Sequence, residues 1–465
     1  MKVKSIGKTN SGSSTLEIML AFAIFALLVT AIVVVSFGNE KIVKDSAGSL
    51  GALYEAKELL NSELSKEFSL LSSVSAYEED GYEKSVHMEY VSDFSKFISV
   101  SVKPNFAGTP VKLERVVTDP SGLDSADSCS LVFGGGWENP NQSGAIYLGT
   151  GGITSVEFTG GLLYAGVNTS TGSDPDFYIV DVTDESNINI LAGIDTGQIS
   201  GTAPGLEDLV ISGGYAYVAN TSINAQLQVI DIDDPANPVV VSHFKLPKFT
   251  AFTENRKWGS VFYTGGRVYL GTNKSEEVEF NIIDVTDPFA PVWLGGYEIG
   301  ARVNDIYVLG DTAFLATAGT STVYVLDVGN PGNVSEISRI ELPKWLTQSG
   351  KSIYHSGDLL YVGRTYGGTG AYNEEFYVFD SATLTPIGSV KLTTTVNGIF
   401  FRSGLAFMAT KKAGEQFQVW QASGAGNFTR QGSLDLGGDA LGMTCRGEIF
   451  YVAVSDSIKI IKKSP

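Results

Sequence analysis

The chain has 465 residues, of which 43% are apolar and 11% aromatic, a composition that excludes disorder over most of its length. Asp and Glu number 51 against 32 Lys and Arg, a formal charge of −19, which argues against nucleic acid or a broad anionic surface as partner. Two cysteines (Cys129, Cys445) and three histidines (His87, His243, His355) are too few for a disulfide scaffold, a four-thiolate zinc site or a histidine-rich metal centre, so neither metal nor cofactor is expected.

Lys2, Lys4 and Lys8 precede an uncharged apolar run from Ile18 to Phe37. Twenty helical residues span about 30 Å, the thickness of the bilayer hydrocarbon. The basic leader keeps the N-terminus cytoplasmic and sends the remainder outward. The run exceeds the roughly 7–15 residues of a secretory signal core and ends Val34-Val35-Ser36-Phe37-Gly38, with no small-x-small cleavage site.

A short basic leader closing on Gly12, with Glu17 five residues on at the edge of a charge-free helix, resembles a type IV prepilin (class III signal peptide). The resemblance implies cleavage by a prepilin peptidase between Gly12 and Ser13, so that 1–12 is the leader and 13–38 the transmembrane and assembly helix. It also implies other pilin subunits as partners and the membrane as the location before assembly. A carboxylate at the rim of an apolar helix is costly unless it is paired. The new α-ammonium of a neighbouring subunit would offset that cost at Glu17. Ser13 departs from the Phe or Met often found after the cut. The competing reading is a plain single-span anchor with Glu17 at the interface.

Beyond the run, Val43, Ala47, Leu50, Leu53, Leu60, Leu64, Phe68 and Leu71 recur mostly at three- and four-residue intervals, which predicts a continuing amphipathic helix toward residue 72. Three strand-like runs follow at Ser85–Val91, Lys96–Val102 and Val111–Thr118. A helix and small antiparallel sheet over 39–118 again resemble a pilin headgroup. Residues 119–143, rich in Asp, Ser, Gly and Pro, read as a linker.

The remainder, 144–465, repeats. The decapeptide Ser155–Tyr164 recurs six times, and its final aromatic is Tyr164, Tyr217, Tyr269, Phe314, Tyr361, Phe407 and Tyr451. Each copy is an apolar run, a glycine turn and a second apolar run, which predicts a hairpin. A third strand ends in Asp181, Asp231, Asp284, Asp327 or Asp380 in five copies, and a fourth strand follows. Four strands at a period near 45 residues predict the blades of an all-β, seven-bladed propeller. The last copy stops after three strands, and Ala145–Gly149 would complete it, leaving no open edge.

The stretches Tyr178-Ile179-Val180-Asp181-Val182-Thr183-Asp184 and Ile282-Ile283-Asp284-Val285-Thr286-Asp287-Pro288 resemble the LVIVD-type propeller repeat of surface and secreted proteins. The five aspartates are expected to accept turn amides rather than bind metal, since the spacing of a calcium loop is absent. Cys129 and Cys445 should reach the same blade, outside the cytoplasm, where a disulfide persists. No Walker loop, dinucleotide fingerprint, zinc-protease motif or nucleophile elbow occurs, so no catalytic residue is assigned.

The expected function is a pilin-like subunit, membrane-anchored before assembly and extracellular in a pilus afterwards. It would display the propeller for adhesion or recognition of a protein or glycan. A minor or tip role fits a propeller too bulky for a tightly wound filament. The alternatives are the major subunit of a propeller-decorated pilus and a membrane-anchored propeller enzyme, a hydrolase or lyase.

Overall fold

The computed structural model describes residues 46–64, 66, 71–92, 95–105, 110–118, 129, 133–149, 151–168, 174–197, 205–220, 222, 224–247, 259–319, 321–343, 348–368, 374–423 and 426–464. Gly12, Ser13, Glu17 and the apolar run 18–37 lie outside them. No helix among the described residues is long and apolar enough to cross a membrane. The chain divides into two units, Met1–Asp124 and Ser125–Pro465.

In the first unit, α1 (Ser46–Leu64) packs on a four-stranded antiparallel sheet of β1 (Val74–Glu79), β2 (Tyr82–Ser92), β3 (Ser95–Pro104) and β4 (Val111–Thr118), in that order. Ala52 and Ala56 of α1 bury against Val86, Ile98, Val100, Val102 and Leu113. The small alanines let the helix approach the sheet closely. Gly51 serves the same approach, because a Cβ there would collide with the Tyr82 hydroxyl.

Two expectations are corrected here. The helix ends at Leu64 rather than near 72, because the stripe's last member, Leu71, enters the same core from a non-helical position leading into β1. The sheet has four strands, not three. The missed strand, β1, is joined to β2 by Asp80-Gly81, whose φ values of 51° and 82° make a tight two-residue hairpin turn. Lys84 of β2 is buried and sits 2.8 Å from Glu55 of α1 and 2.9 Å from Glu79 of β1, tying all three elements. Burial pulls its pKa down, but the two carboxylates outweigh that and hold it above the ordinary lysine value.

Among the described residues, the second unit holds seven four-stranded antiparallel sheets. Six run in chain order, with first strands Gly152–Thr159, Leu206–Ser212, Gly259–Thr264, Val303–Leu309, Gly350–Ser356 and Val396–Arg402. The seventh combines Ala440–Arg446, Ile449–Val454 and Ser457–Lys462 with the upstream strand β5 (Asn141–Tyr147). β5 pairs antiparallel with Ser457–Lys462, from Tyr147 opposite Ser457 to Asn141 opposite Lys462. Each first strand lies against the first strands of the sheets before and after it, and the seventh returns to the first. Apolar side chains of adjacent sheets fill the gaps between them, as Leu227, Val229, Val261, Val268 and Ile283 do between sheets two and three.

The region read as a linker over 119–143 is not one throughout. Phe133 and Trp137 are buried between sheets six and seven, with Phe133 and Trp137 ring centroids 5.0 and 4.9 Å from Phe407. Their aromatic surface outweighs the Gly-rich sequence around them and turns the segment into a clasp. The Phe133 amide donates to Ser403 Oγ at 3.1 Å, and Arg402 donates to the Cys129 carbonyl at 3.1 Å. Cys129 and Cys445 are joined by a disulfide, their Cα atoms 5.0 Å apart across 316 residues of sequence. The bond ties this clasp to the first strand of the sheet that β5 completes.

Denatured, unreduced protein is accordingly expected to yield no reactive thiol in a dithionitrobenzoate assay. Replacing both cysteines by serine is expected to lower the unfolding free energy, by at most about 5 kcal/mol on chain entropy. Two titrating thiols would contradict the clasp.

Candidate functional site

The repeat places one residue per sheet at equivalent positions, and those positions build the site. Immediately before each decapeptide the first strand presents Thr154, Glu207, Gly259, Asn304, Lys351, Asn397 or Leu441. All but Gly259 line a single cavity of about 670 Å3. The pairing register shifts at this residue in each of those six strands, and the next residue along does not line the cavity.

In sheets two to five the side chain at that next position bridges to the following sheet. Asp208 accepts from its neighbour Leu209 and, at 2.9 Å, from the Val261 amide of sheet three. Asp305 does the same with Ile306 and, at 2.8 Å, with the Ile353 amide of sheet five. Ser352 Oγ donates to the Val396 carbonyl at 3.0 Å. From the cavity row itself, Thr154 Oγ1 donates to Leu206 O at 2.6 Å and Asn397 to Ala440 O at 2.7 Å. Polar groups at the centre therefore join sheets one to seven in series.

The rim adds Arg302, Thr365, Thr395 and Lys411. Arg302 Nε donates to Asn304 Oδ1 at 2.7 Å, and Asn168 donates to Glu207 Oε1 at 2.6 Å. Lys411 pairs with Asp439 at 3.0 Å. On a chain of charge −19 the described lining residues of this cavity have the opposite balance, with the basic Arg302, Lys351 and Lys411 against the carboxylate of Glu207. Burial pushes the Asp208 carboxyl up to about 7 and Asp305 up to about 6, with the bridging amides opposing. Burial pulls the Lys351 ammonium down to about 7, against the attraction of Asp305.

A second recurrent position went unrecognised. The residue just before the third strand is Asp176, Gln226, Glu279, Glu375 or Gln416 in five sheets, and its side-chain oxygen accepts amides from the connection to the next sheet. Glu279 takes three, from Ser275, Ile299 and Gly300. The signal was available as a recurring Asp, Glu or Gln one residue ahead of most third strands, with Thr322 the exception in sheet four.

The sequence-derived residues are distributed as follows. Asp181, Asp231, Asp284, Asp327 and Asp380 each accept a turn amide two residues on, from Thr183, Asp233, Thr286, Gly329 and Ala382. Hydrogen bonds from the Thr183 and Thr286 hydroxyls and the Thr383 amide hold Asp181, Asp284 and Asp380 below the ordinary carboxylate range. These aspartates do not line the cavity. No group of three or more His, Cys, Asp or Glu side chains able to hold a metal occurs among the described residues. His355 stacks between Tyr307 and Phe314, and burial pushes its pKa down to about 4. His243 contacts Gln228 through Nδ1 at 3.0 Å. Gly12, Ser13 and Glu17 lie outside the described residues.

Comparison with known proteins supports the architecture. The LVIVD repeat family matches residues 206–245, which is sheet two and the start of its exit loop. No curated protein matches the chain. Among solved structures, a chain of the "Crystal Structure of Mitotic Checkpoint Complex" is similar at 13% identity and a TM-score of 0.51, covering 70% of this chain and 94% of that one. The Saccharomyces cerevisiae protein Sqt1 is similar at 10% identity and a TM-score of 0.46, over 70% of this chain and all of that one. At such identity the first likeness speaks to the fold alone: a repeat β-propeller.

Glu279→Ala removes the acceptor for three buried amides and is expected to cost roughly 1–3 kcal/mol in urea denaturation. Glu279→Gln, which keeps an acceptor oxygen, is expected to cost less. Equal stability of all three proteins would contradict this role.

Proposed function

We propose that the chain is a type IV pilin-like subunit that carries a seven-bladed, LVIVD-type propeller outside the cell for recognition of a surface ligand, as a minor or tip component of a filament. The observation that carries the reading is the Cys129–Cys445 disulfide, in a chain whose prepilin-like leader would end at Gly12, with Ser13 and Glu17 beyond it. Disulfides persist outside the reducing cytoplasm, which is where the basic leader and apolar run would send the propeller. The cavity supplies groups that recognition could use: its described lining offers Thr, Asn, Glu, Arg and Lys side chains.

A second reading, a membrane-anchored propeller enzyme, has one observation in its favour. Lys351 lines the central cavity and feels the charges of Asp208 and Asp305 one position behind the cavity row, and all three have displaced pKa values, as an acid–base site would require. Against it, both aspartates already spend their oxygens on backbone amides of two sheets.

N-terminal sequencing of the mature protein tests the carrier directly. It is expected to begin at Ser13, and Glu17→Ala is expected to abolish incorporation into filaments while leaving the propeller folded. An intact leader, or filaments that form without Glu17, would overturn the pilin reading. The protein is further expected as a minor band in purified filaments, and a dominant band would reverse that assignment.

A further inference from the structure

We infer that the central cavity binds an acidic sugar, a hydroxylated carboxylate of the uronate class, with its carboxylate on Arg302 and Lys351 and its hydroxyls on the surrounding amide and hydroxyl side chains. This rests on the recognition reading and names its ligand, without depending on how the propeller is carried.

Three features select that chemistry. The first is charge. Arg302 and Lys351 come from consecutive sheets, four and five, onto one cavity, and a guanidinium and an ammonium together suit a carboxylate. The second is what surrounds them. Asn304, Asn397, Thr365 and Thr395 supply polar side chains, and Leu441 is the one aliphatic residue among the described lining residues. Asn397 Oδ1 is buried without a partner, and a largely apolar ligand would leave it so, at a cost. The third is Glu207. A carboxylate on the wall disfavours a bare inorganic anion but accepts hydrogen bonds from sugar hydroxyls, so the site asks for acid and hydroxyl on one molecule.

The volume of about 670 Å3 exceeds the needs of one pyranose ring. A shallower recess of about 340 Å3 shares Thr395 and Lys411 with the cavity and carries Tyr366, which is 38% exposed. A half-exposed tyrosine ring presents the apolar face on which a second sugar residue can lie. The geometry thus fits the acidic end of a short glycan, with the terminal residue in the cavity and the next on Tyr366.

Protonation sets the pH response. Lys351 titrates at about 7, and the charged groups facing it are Glu207, Asp208, Asp305, Arg302 and Lys411. As pH rises through 7, Lys351 loses its charge while Asp208 and Asp305 complete their ionisation. Both changes disfavour an anion, so affinity falls with rising pH.

Isothermal titration of the full chain with galacturonate, galactose and sulfate tests the site. Galacturonate is expected to bind at least tenfold more tightly than galactose or sulfate, and to weaken severalfold between pH 6 and pH 8.5. Lys351→Met and Arg302→Gln are each expected to weaken it at least tenfold, with thermal unfolding followed in parallel to exclude misfolded variants. Digalacturonate is expected to bind more tightly than the monomer, a gain removed by Tyr366→Ala. Equal affinity for the two would instead mark a free sugar acid as the ligand and overturn the extension onto Tyr366. Equal binding of galactose and galacturonate, or folded variants that bind like the parent, would overturn the site itself. A protein that begins at Ser13 yet ignores galacturonate would reject this ligand class and leave the carrier reading standing. Galacturonate binding by a protein with an intact leader would do the reverse.

Discussion

A ring of four-stranded sheets is complete only if its last sheet finds an outer strand, and here that strand comes from the other end of the repeat region. β5 pairs with Ser457–Lys462, so the two ends of the repeat region are joined within one sheet. The disulfide and the aromatic clasp of Phe133 and Trp137 act at the same place, each fastening the segment ahead of β5 to sheets six and seven. Three kinds of interaction, backbone pairing, covalent bond and apolar burial, thus converge on one closure. None of the other sheets needs such reinforcement, because each of them is continuous in the chain.

Closure has a consequence at the centre. Adjacent sheets crowd together there, and Gly271 in the second strand of sheet three shows how tightly: a Cβ at that position would come within 2.8 Å of Val303 in the first strand of sheet four. Backbone groups in such a place must find partners or cost free energy. Asp208, Asp305, Thr154, Ser352 and Asn397 supply them from one sheet to the next. Thr154 and Asn397 do so while also lining the shared space, together with Glu207, Asn304 and Lys351. Bridging and cavity-lining groups thus sit side by side on the first strands, which is why the centre is polar in a molecule whose sheets are otherwise cemented by apolar residues.

The repeat region could be read well before the structure, and for a physical reason. Glycine turns, a fixed aromatic and an aspartate after the third strand recur in register, and each has a local cause, such as the turn amides that Asp284 and Asp380 accept. What could not be read was non-local. Phe133 and Trp137 look like interruptions of a linker until sheets six and seven are brought beside them. The strand Val74–Glu79 carries two glutamates and a serine, so alternation did not reveal it, although Asp80-Gly81 was a hairpin signal in plain view. Arg302 and Lys351 lie 49 residues apart in sequence, and only the stacking of sheets four and five makes them neighbours on one wall.

Function follows from these constraints in a definite order. Closure makes the propeller rigid, rigidity holds cations and amides in place around the cavity, and the proposed pilin-like segment would carry that surface away from the membrane. Hydrogen exchange across β5 tests the first step. If closure governs the ring, the paired amides of β5 will exchange as slowly as those of Ile449–Val454 in the same sheet, and both will be released together in denaturant. Fast exchange of β5 beside a protected Ile449–Val454 would show that the ring stands without its upstream strand.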